Sequence, residues 1–277
     1  MKPDLGIVTL SFNKRRFIQQ TIDSIHRNGI AQVQHVIVDP GSVDGTLDVL
    51  ESNRHVLTHL VIESDGGPAD GLNKGFALLD ADVFGYLNGD DLFEPGCLQF
   101  VQEFFSHNPD ADVLFGAIRM IDENGRQRWR LRRPDKFDLQ AYAYQVCYVY
   151  QQATFFRASA FYLAGGFNTI NRTCWDGELV VDLALAGARF AYTDRVLGSF
   201  RFHSGSLTAS PSYQASYSMD CIRIRNKILG AGVKPLSSFT HSNRQLAYKL
   251  NPFRHYSYLN ICERFTGSAP KCNVTGS

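Results

Sequence analysis

The chain has 277 residues, 44% of them apolar, and a formal net charge of +1. That length suits one large domain, or a domain with an appended segment, and the composition is ordinary for a globular fold. No apolar run reaches 18 residues, so no spanning helix is expected, and the opening MKPDLGIVTLSFNK places an acid before a short apolar strand, unlike a secretory signal.

The β-branched run at 6–11 (GIVTLS) predicts a buried strand. Residues 14–28 carry Phe17, Ile18, Ile22 and Ile25 at helical spacing and stop at Asn28-Gly29. A second strand follows at 33–39 (VQHVIVD), then a helix at 44–52 (DGTLDVLES) capped by Asp44. Residues 56–64 (VLTHLVIES) read as a third strand, 68–79 (PADGLNKGFALL) as a helix with Pro68 near its start, and 82–88 (DVFGYLN) as a fourth strand. Glu94-Pro95 opens a further helix, and Asp176 opens the apolar helical pattern Leu179, Val180, Leu183, Leu185. Strand and helix in alternation predict an α/β fold: a Rossmann-like, mainly parallel sheet with helices on both faces. The stretch 204–212 (SGSLTASPS) is polar and rich in breakers, and is expected to link the body to a C-terminal segment.

The near-neutral total hides an asymmetry. From Cys221 onward nine Lys or Arg face one acid, Glu263, leaving the first 220 residues with 19 basic and 26 acidic side chains, a charge of −7. Phe239, Tyr248, Phe253, Tyr256, Tyr258 and Phe265 are interleaved with the late cations. Such a tail suits an anionic surface, and docking of 221–277 on the cytoplasmic face of a membrane is the expectation; the competing reading is a helical cap packed on the acidic body. Nucleic acid is not the expected partner. The six cysteines (97, 147, 174, 221, 262, 272) lack paired spacing and read as reduced thiols of a cytoplasmic protein.

In sheets of this kind ligands sit outside the carboxyl ends of the strands. Those ends carry Ser11-Phe12-Asn13, Asp39-Pro40-Gly41-Ser42, Glu63-Ser64-Asp65 and Asn88-Gly89-Asp90-Asp91. Turn chemistry explains each singly, but four in a row make an acidic rim. Such a rim repels a phosphate ligand unless a divalent cation lies between, and Mg²⁺ or Mn²⁺ is commonly held by one or two carboxylates plus substrate phosphates. Asp90 and Asp91 are therefore expected to hold the cation, and the cation a diphosphate. Adjacent side chains diverge in a strand, so a turn permitted by Gly89 must aim the pair.

Five segments in order, VDPGSVDGTLDVL (38–50), ESDGGPADGLNKG (63–75), YLNGDD (86–91), FFRASAFYLAGGFN (155–168) and WDGELVVDLALAG (175–187), resemble the family-2 glycosyltransferases with the GT-A fold, especially those of bacterial cell-surface polysaccharides. The resemblance covers about residues 5–207. It implies a catalytic domain over 1–207, with a nucleotide-binding half to about 92 and an acceptor half beyond, followed by the basic, partly helical segment 213–277. It implies a nucleotide-diphosphate sugar as donor, UDP being favoured, a saccharide or lipid-linked acceptor, and inversion in a single displacement. Asp39 would lie by the nucleobase and Asp65 near the base or ribose, with Ser11 and Asn13 on the same nucleotide rim. Asp91 would be the principal metal carboxylate, with Asp90 nearer the ribose and the metal's water shell. Asp176 would be the general base. His203 either approaches the metal or diphosphate, or bonds its own loop. Lys74, in the family's NKG, either neutralises phosphate or is a solvated helix lysine. Trp175 stands where the family often has an acid, and would stack on an acceptor sugar or serve as a core aromatic. Pro40 and Ala69 leave the nucleotide and donor sugar open, and no QxxRW follows Asp176, so a processive enzyme is not expected.

Three other readings compete. SVDGT (42–46) is similar to a haloacid-dehalogenase phosphatase loop, but Ser42 stands at the nucleophile's place. A sugar-nucleotide nucleotidyltransferase would want glycines in SFNKRR. A nucleotide-sugar-binding module without turnover is opposed by Asp91 and Asp176.

Overall fold

The computed structural model describes residues 4–30, 33–128, 131–203 and 211–232. Strand β1 (Leu5–Leu10) lies between β2 (Gln34–Asp39) and β4 (Val83–Asn88), with β3 (His59–Ile62) outside β2, all parallel. The second half is mixed. β5 (Leu92–Phe93), β6 (Val113–Ile121), β7 (Thr154–Arg157) and β8 (Phe190–Arg201) complete one eight-stranded sheet in the order β3-β2-β1-β4-β7-β6-β8-β5. There β7 is antiparallel to β4 and β6, while β6 and β8 run parallel.

Alternation along the strands feeds both faces. Val8, Phe84 and Tyr86 point into a core completed by α3 (Pro68–Phe76), α6 (Ala158–Leu163) and α7 (Trp175–Leu185). Ile7, Val83 and Leu87 point the other way, against Ile25 of α1 (Ile18–His26) and Leu98, Val101 and Phe105 of α4 (Cys97–His107). Ile18, Ile22, Ile37, Val49 and Leu50 form a third cluster under α2 (Thr46–Ser52).

Local details differ from the sequence reading. The third strand keeps only His59–Ile62, and its residues are at most half-buried, as suits a sheet edge. Asp44 does accept from the Thr46 backbone N–H at 3.0 Å, but Gly45, left-handed at φ 88°, is the residue that enters α2. Gly89 has no positive φ; its lack of a Cβ lets the chain pass the Leu10 carbonyl, which a Cβ would meet at 3.2 Å. Trp175 is a core aromatic, 9% exposed, and not a platform open to a sugar.

In the C-terminal segment, helix α8 (Pro211–Gly230) packs on the body, as the competing reading of a helical cap expects. Its Ile224 and Ile228 are buried with Val181 of α7 and Ala143 of α5 (Leu139–Ala143). Arg223 and Lys227 pair with Glu178, and Lys227 with Asp182, both on α7. Arg225 lies over the Tyr144 ring, 4.6 Å from its centroid. These three cations are spent on the body and not on an external surface. The expected linker at 204–210 and the tail beyond 232 lie outside the described residues, and so do Cys262 and Cys272. Cys97, Cys147, Cys174 and Cys221 form no disulfide among the described residues. No helix among the described residues is long and apolar enough to cross a membrane.

Candidate active site

The turn after β4 separates the two adjacent carboxylates. Asp90 Oδ2 accepts from Lys14 Nζ at 2.5 Å and from His203 Nε2 at 2.9 Å. Asp91 turns inward. Its Oδ1 accepts from the Arg201 backbone N–H and its Oδ2 from Gln152 Nε2, each at 2.8 Å, and the residue is 1% exposed. Arg201, itself buried, donates from Nε to the Asp90 carbonyl and from Nη2 to Gln20 Oε1. The two acids therefore part in character. Burial works against the Asp90 charge, but His203 and Lys14 outweigh it and hold the carboxyl below its ordinary value. Burial first, and then the Asp90 charge, push Asp91 up to about 8. Both Asp91 side-chain oxygens accept hydrogen bonds inside the protein, while Asp90 faces His203 and the rim.

The remaining rim residues are brought to the same edge. Asn13, left-handed at φ 53°, ties two strand ends together: its N–H donates to Ser42 Oγ, and its Oδ1 accepts from Val43 N–H. Asp39 is fully buried and shapes its own loop, accepting from Gly41 N, Ser42 N and Ser42 Oγ. Ser11 Oγ is a buried hydroxyl without a partner among the described residues. Asp65 accepts from Gly67 N–H at 2.8 Å at the entry to α3. Lys74 is drawn away from the rim: it pairs with Glu63 and Asp70 and donates to the Ser64 carbonyl. The cation beside Asp90 is Lys14. Its signal was the SFNKRR stretch after β1, which is basic but lacks the glycines of a phosphate loop.

Asp176 sits in the first turn of α7, at a cavity of about 120 Å³ between α5, α7 and α8. Burial raises its carboxyl above the ordinary value, partly offset by the Gly177 N–H and its own. Tyr86, Tyr142, Tyr148 and Tyr217 contribute to the lining, with Gln151 between the cavity and the rim. A 3₁₀ turn, Gln151–Ala153, joins the two regions: Gln152 reaches Asp91, and Gln151 lines the Asp176 cavity. Below Asp176, Glu178 is fully buried and accepts from Asn168, Asn171, Arg223 and Lys227. Gln151, Gln152, Glu178 and Arg201 are polar residues in apolar runs; nothing in their spacing singles them out.

Asp90 Oδ2 and His203 Nε2, 2.9 Å apart across their hydrogen bond, are the oxygen and nitrogen donors that a divalent cation would meet at this rim. The Lys14 ammonium beside them marks a position where positive charge is stable. Among the described residues no cluster of three or more His, Cys, Asp or Glu could hold a metal. The other ligand positions would thus fall to phosphate and water.

The sheet order, with polar side chains at the end of β1 and carboxylates at the ends of β2, β3 and β4, is that of the GT-A fold. Residues 6–164 match the family model described as Glycosyl transferase family 2, and the chain belongs to that family. An uncharacterized glycosyltransferase of Mycobacterium tuberculosis is 27% identical over 187 residues, 66% of this chain and 70% of the relative. A PGL/p-HBAD biosynthesis glycosyltransferase of Mycobacterium bovis is 29% identical over 182 residues, 64% and 68% of the two chains. Among solved structures, S. aureus TarS 1–349 in complex with UDP-GlcNAc superposes with a TM-score of 0.65 at 16% identity, covering 90% of this chain and 75% of that one. The mannosyltransferase PcManGT from Pyrobaculum calidifontis, in complex with GDP-Man and Mn²⁺, gives 0.59 at 14%, covering 95% and 85%. The matched family span contains Asp90 and Asp91 and ends before Asp176 and His203.

Proposed function

We propose that the protein is an inverting, non-processive glycosyltransferase that moves a sugar from a nucleotide-diphosphate donor to a hydroxyl of a saccharide or lipid-linked acceptor. The observation that carries this reading is the pairing of Asp90 with His203 and Lys14 on one side of the Gln151–Gln152 turn, and Asp176 in a cavity on the other. The first region suits a diphosphate, the second an acceptor. UDP is the favoured nucleotide, in keeping with the UDP-GlcNAc complex of TarS.

Asp90 and His203 would hold Mn²⁺ or Mg²⁺, which when bound supplies positive charge to the leaving diphosphate. Lys14 adds a fixed positive charge at the same place, and Ser11 Oγ offers the nucleotide an unused hydrogen-bonding group. Asp65 lies at the edge where base or ribose would rest, and Asp39 acts by shaping the loop that carries Ser42. Asp176 accepts the proton of the acceptor hydroxyl as its oxygen attacks the sugar carbon opposite the diphosphate, giving inversion in one displacement. Its raised carboxyl improves it as a base, because a proton acceptor works best with a pKa nearer the working pH. Peripheral membrane docking on the cytoplasmic side, in this reading, rests on the cations after Lys227, since Arg223 and Lys227 already serve α7.

The test is a screen of UDP, GDP and dTDP sugars with Mn²⁺, Mg²⁺ or chelator, reading released nucleoside diphosphate. Metal-dependent release from one donor class is expected. No release and no nucleotide binding under any condition would overturn the reading.

A further inference from the structure

Two cysteines meet where α8 packs against the start of α7. Cys174 is the N-cap of α7, and Cys221 lies in the middle of α8. The residues just before them hold the two segments in register. Asp220 Oδ2 accepts from the Arg172 and Thr173 backbone N–H groups at 3.0 and 3.1 Å, and from Thr173 Oγ1 at 2.7 Å. Arg223 closes the clamp by pairing with Asp220 Oδ1 and with Glu178 of α7. Cys174 and Cys221 pack in one cluster with Ala143, Val181 and Ile224, and both line the same cavity of about 120 Å³. The Cys174 S–H donates to the Cys221 sulfur, which also accepts from the side chains of Tyr217 and Gln145. Packing alone asks for no such convergence, because a structural thiol behaves as a small apolar group. The Cys174 hydrogen bond, helped by those of Tyr217 and Gln145, outweighs burial and holds the Cys221 thiol below its ordinary value. Giving that same hydrogen bond, and then burial, push the Cys174 thiol up.

We infer that Cys174 and Cys221 form a modification site, a dithiol that hydrogen peroxide closes reversibly to a disulfide, with Cys221 the thiol oxidised first. Cys221 is partly exposed and Cys174 is buried, so the oxidant meets Cys221 and the second thiol waits behind it. The cavity is small, but at about 10–15 Å³ for each water-sized group it admits a peroxide. The Cys221 thiolate attacks one peroxide oxygen and the O–O bond breaks. Hydroxide leaves and takes up the proton that the thiol gave, as water, and Cys221 becomes a sulfenic acid. The Cys174 sulfur then attacks the Cys221 sulfur: the S–S bond forms, the S–O bond breaks, and the second hydroxide leaves as water with the Cys174 proton. The two sulfurs together lose two electrons, and one peroxide gains them. Cys147 also lines the cavity, but its thiol donates to the Lys136 carbonyl at 3.6 Å, and Cys97 is buried in a different cluster. The disulfide ties α8 covalently to the start of α7, two residues before Asp176. Sulfur chemistry at this site is independent of glycosyl transfer. Dithiols of this kind in a reducing compartment are transient and redox-sensing.

The experiment adds hydrogen peroxide to the reduced, folded full chain at neutral pH, blocks the remaining thiols by alkylation, and maps tryptic peptides by mass spectrometry. Cys174 and Cys221 fall in separate peptides, 173–189 and 202–223. Those two peptides should be joined with the loss of two hydrogens, and dithiothreitol should release them. The bond should form at least about tenfold faster than any oxidation of Cys97 or Cys147, and the preference should vanish in denaturing urea. In Cys174→Ser the resolving thiol is gone, and dimedone should trap the sulfenic acid at Cys221. In Cys221→Ser the Cys174 thiol should stay reduced. If either variant does not fold, the wild-type maps in buffer and in urea still decide the matter. The inference is overturned if Cys174 and Cys221 stay reduced, if either joins another cysteine instead, or if Cys97 or Cys147 oxidises as fast. It is overturned equally if urea leaves the preference unchanged, or if folded Cys174→Ser gives no dimedone adduct at Cys221.

Discussion

Replacing Glu178 by Gln removes the charge that anchors α8 to the helix of the proposed base. Glu178 is fully buried two residues after Asp176, and Arg223 and Lys227 converge on its Oε1 at 2.5 and 3.2 Å. Burial pushes the carboxyl up, but hydrogen bonds from Arg223, Asn168 and Asn171 outweigh it and lower it from 4.5 to about 2. That depression corresponds to about 3 kcal/mol of stability at pH 7. A folded-state pKa below the unfolded one gives stability that is present above about pH 4.5 and lost as pH falls towards 2. Glu178→Gln should therefore cost about 3 kcal/mol at pH 7 and, by the same relation, about 1.5 kcal/mol at pH 3. Its amide would also turn an N–H₂ group towards donors. Urea unfolding of both proteins from pH 7 to pH 3 reads the difference. A cost below about 0.5 kcal/mol, in the range of exposed ion pairs, would refute the argument, and so would a cost that does not shrink with acid.

Asp91→Asn should retain Mn²⁺-dependent UDP binding, since a flip of the Gln152 amide restores both side-chain hydrogen bonds, whereas Asp90→Asn should lose the metal effect; calorimetric titration of UDP with and without Mn²⁺ distinguishes the two. Gly177→Ala should destabilise although Ala favours helices, because its Cβ would lie 1.7 Å from the Tyr142 hydroxyl oxygen; the thermal midpoint should fall by an amount equivalent to about 1–3 kcal/mol, with UDP binding kept. Gly198→Ala should weaken donor and acceptor binding together, because its Cβ would meet the Gln152 carbonyl at 2.1 Å and displace the turn between the two regions; titration of UDP and of a bound glycoside reads both. Anionic vesicles at low salt should retain the full chain, and a chain with Lys234, Arg244, Lys249 and Arg254 changed to Gln should bind less, while Arg225→Gln leaves retention unchanged; co-sedimentation measures this.

The first half of the fold was legible because its strands and helices alternate at a regular rhythm and its glycines and prolines fall at the joints. Ile18, Ile22 and Ile25 are buried as their spacing predicts. The second half was not, because β6, β7 and β8 pair antiparallel and parallel by turns, and local patterning carries no strand direction. The rim was legible as polar residues at strand ends, but not the division of labour within it. Asp90 and Asp91 are identical in sequence terms; what separates them is Arg201 and Gln152, 110 and 61 residues away. The ion pairs of Lys74 with Glu63 and Asp70, and of Lys14 with Asp90, were hidden for the same reason: they are made in space. Net charge misled at α8, where cations counted as surface charge pair with acids of α7.

The account stands most directly on Asp176. With the donor identified by the nucleotide-sugar screen, wild type and Asp176→Asn are compared for UDP binding and for release of nucleoside diphosphate in the presence of acceptor. An amide is nearly isosteric but takes no proton, so UDP affinity should be unchanged and turnover should fall by about 10²–10⁴-fold. Turnover above about a tenth of the wild-type rate would contradict the assignment and place the base elsewhere.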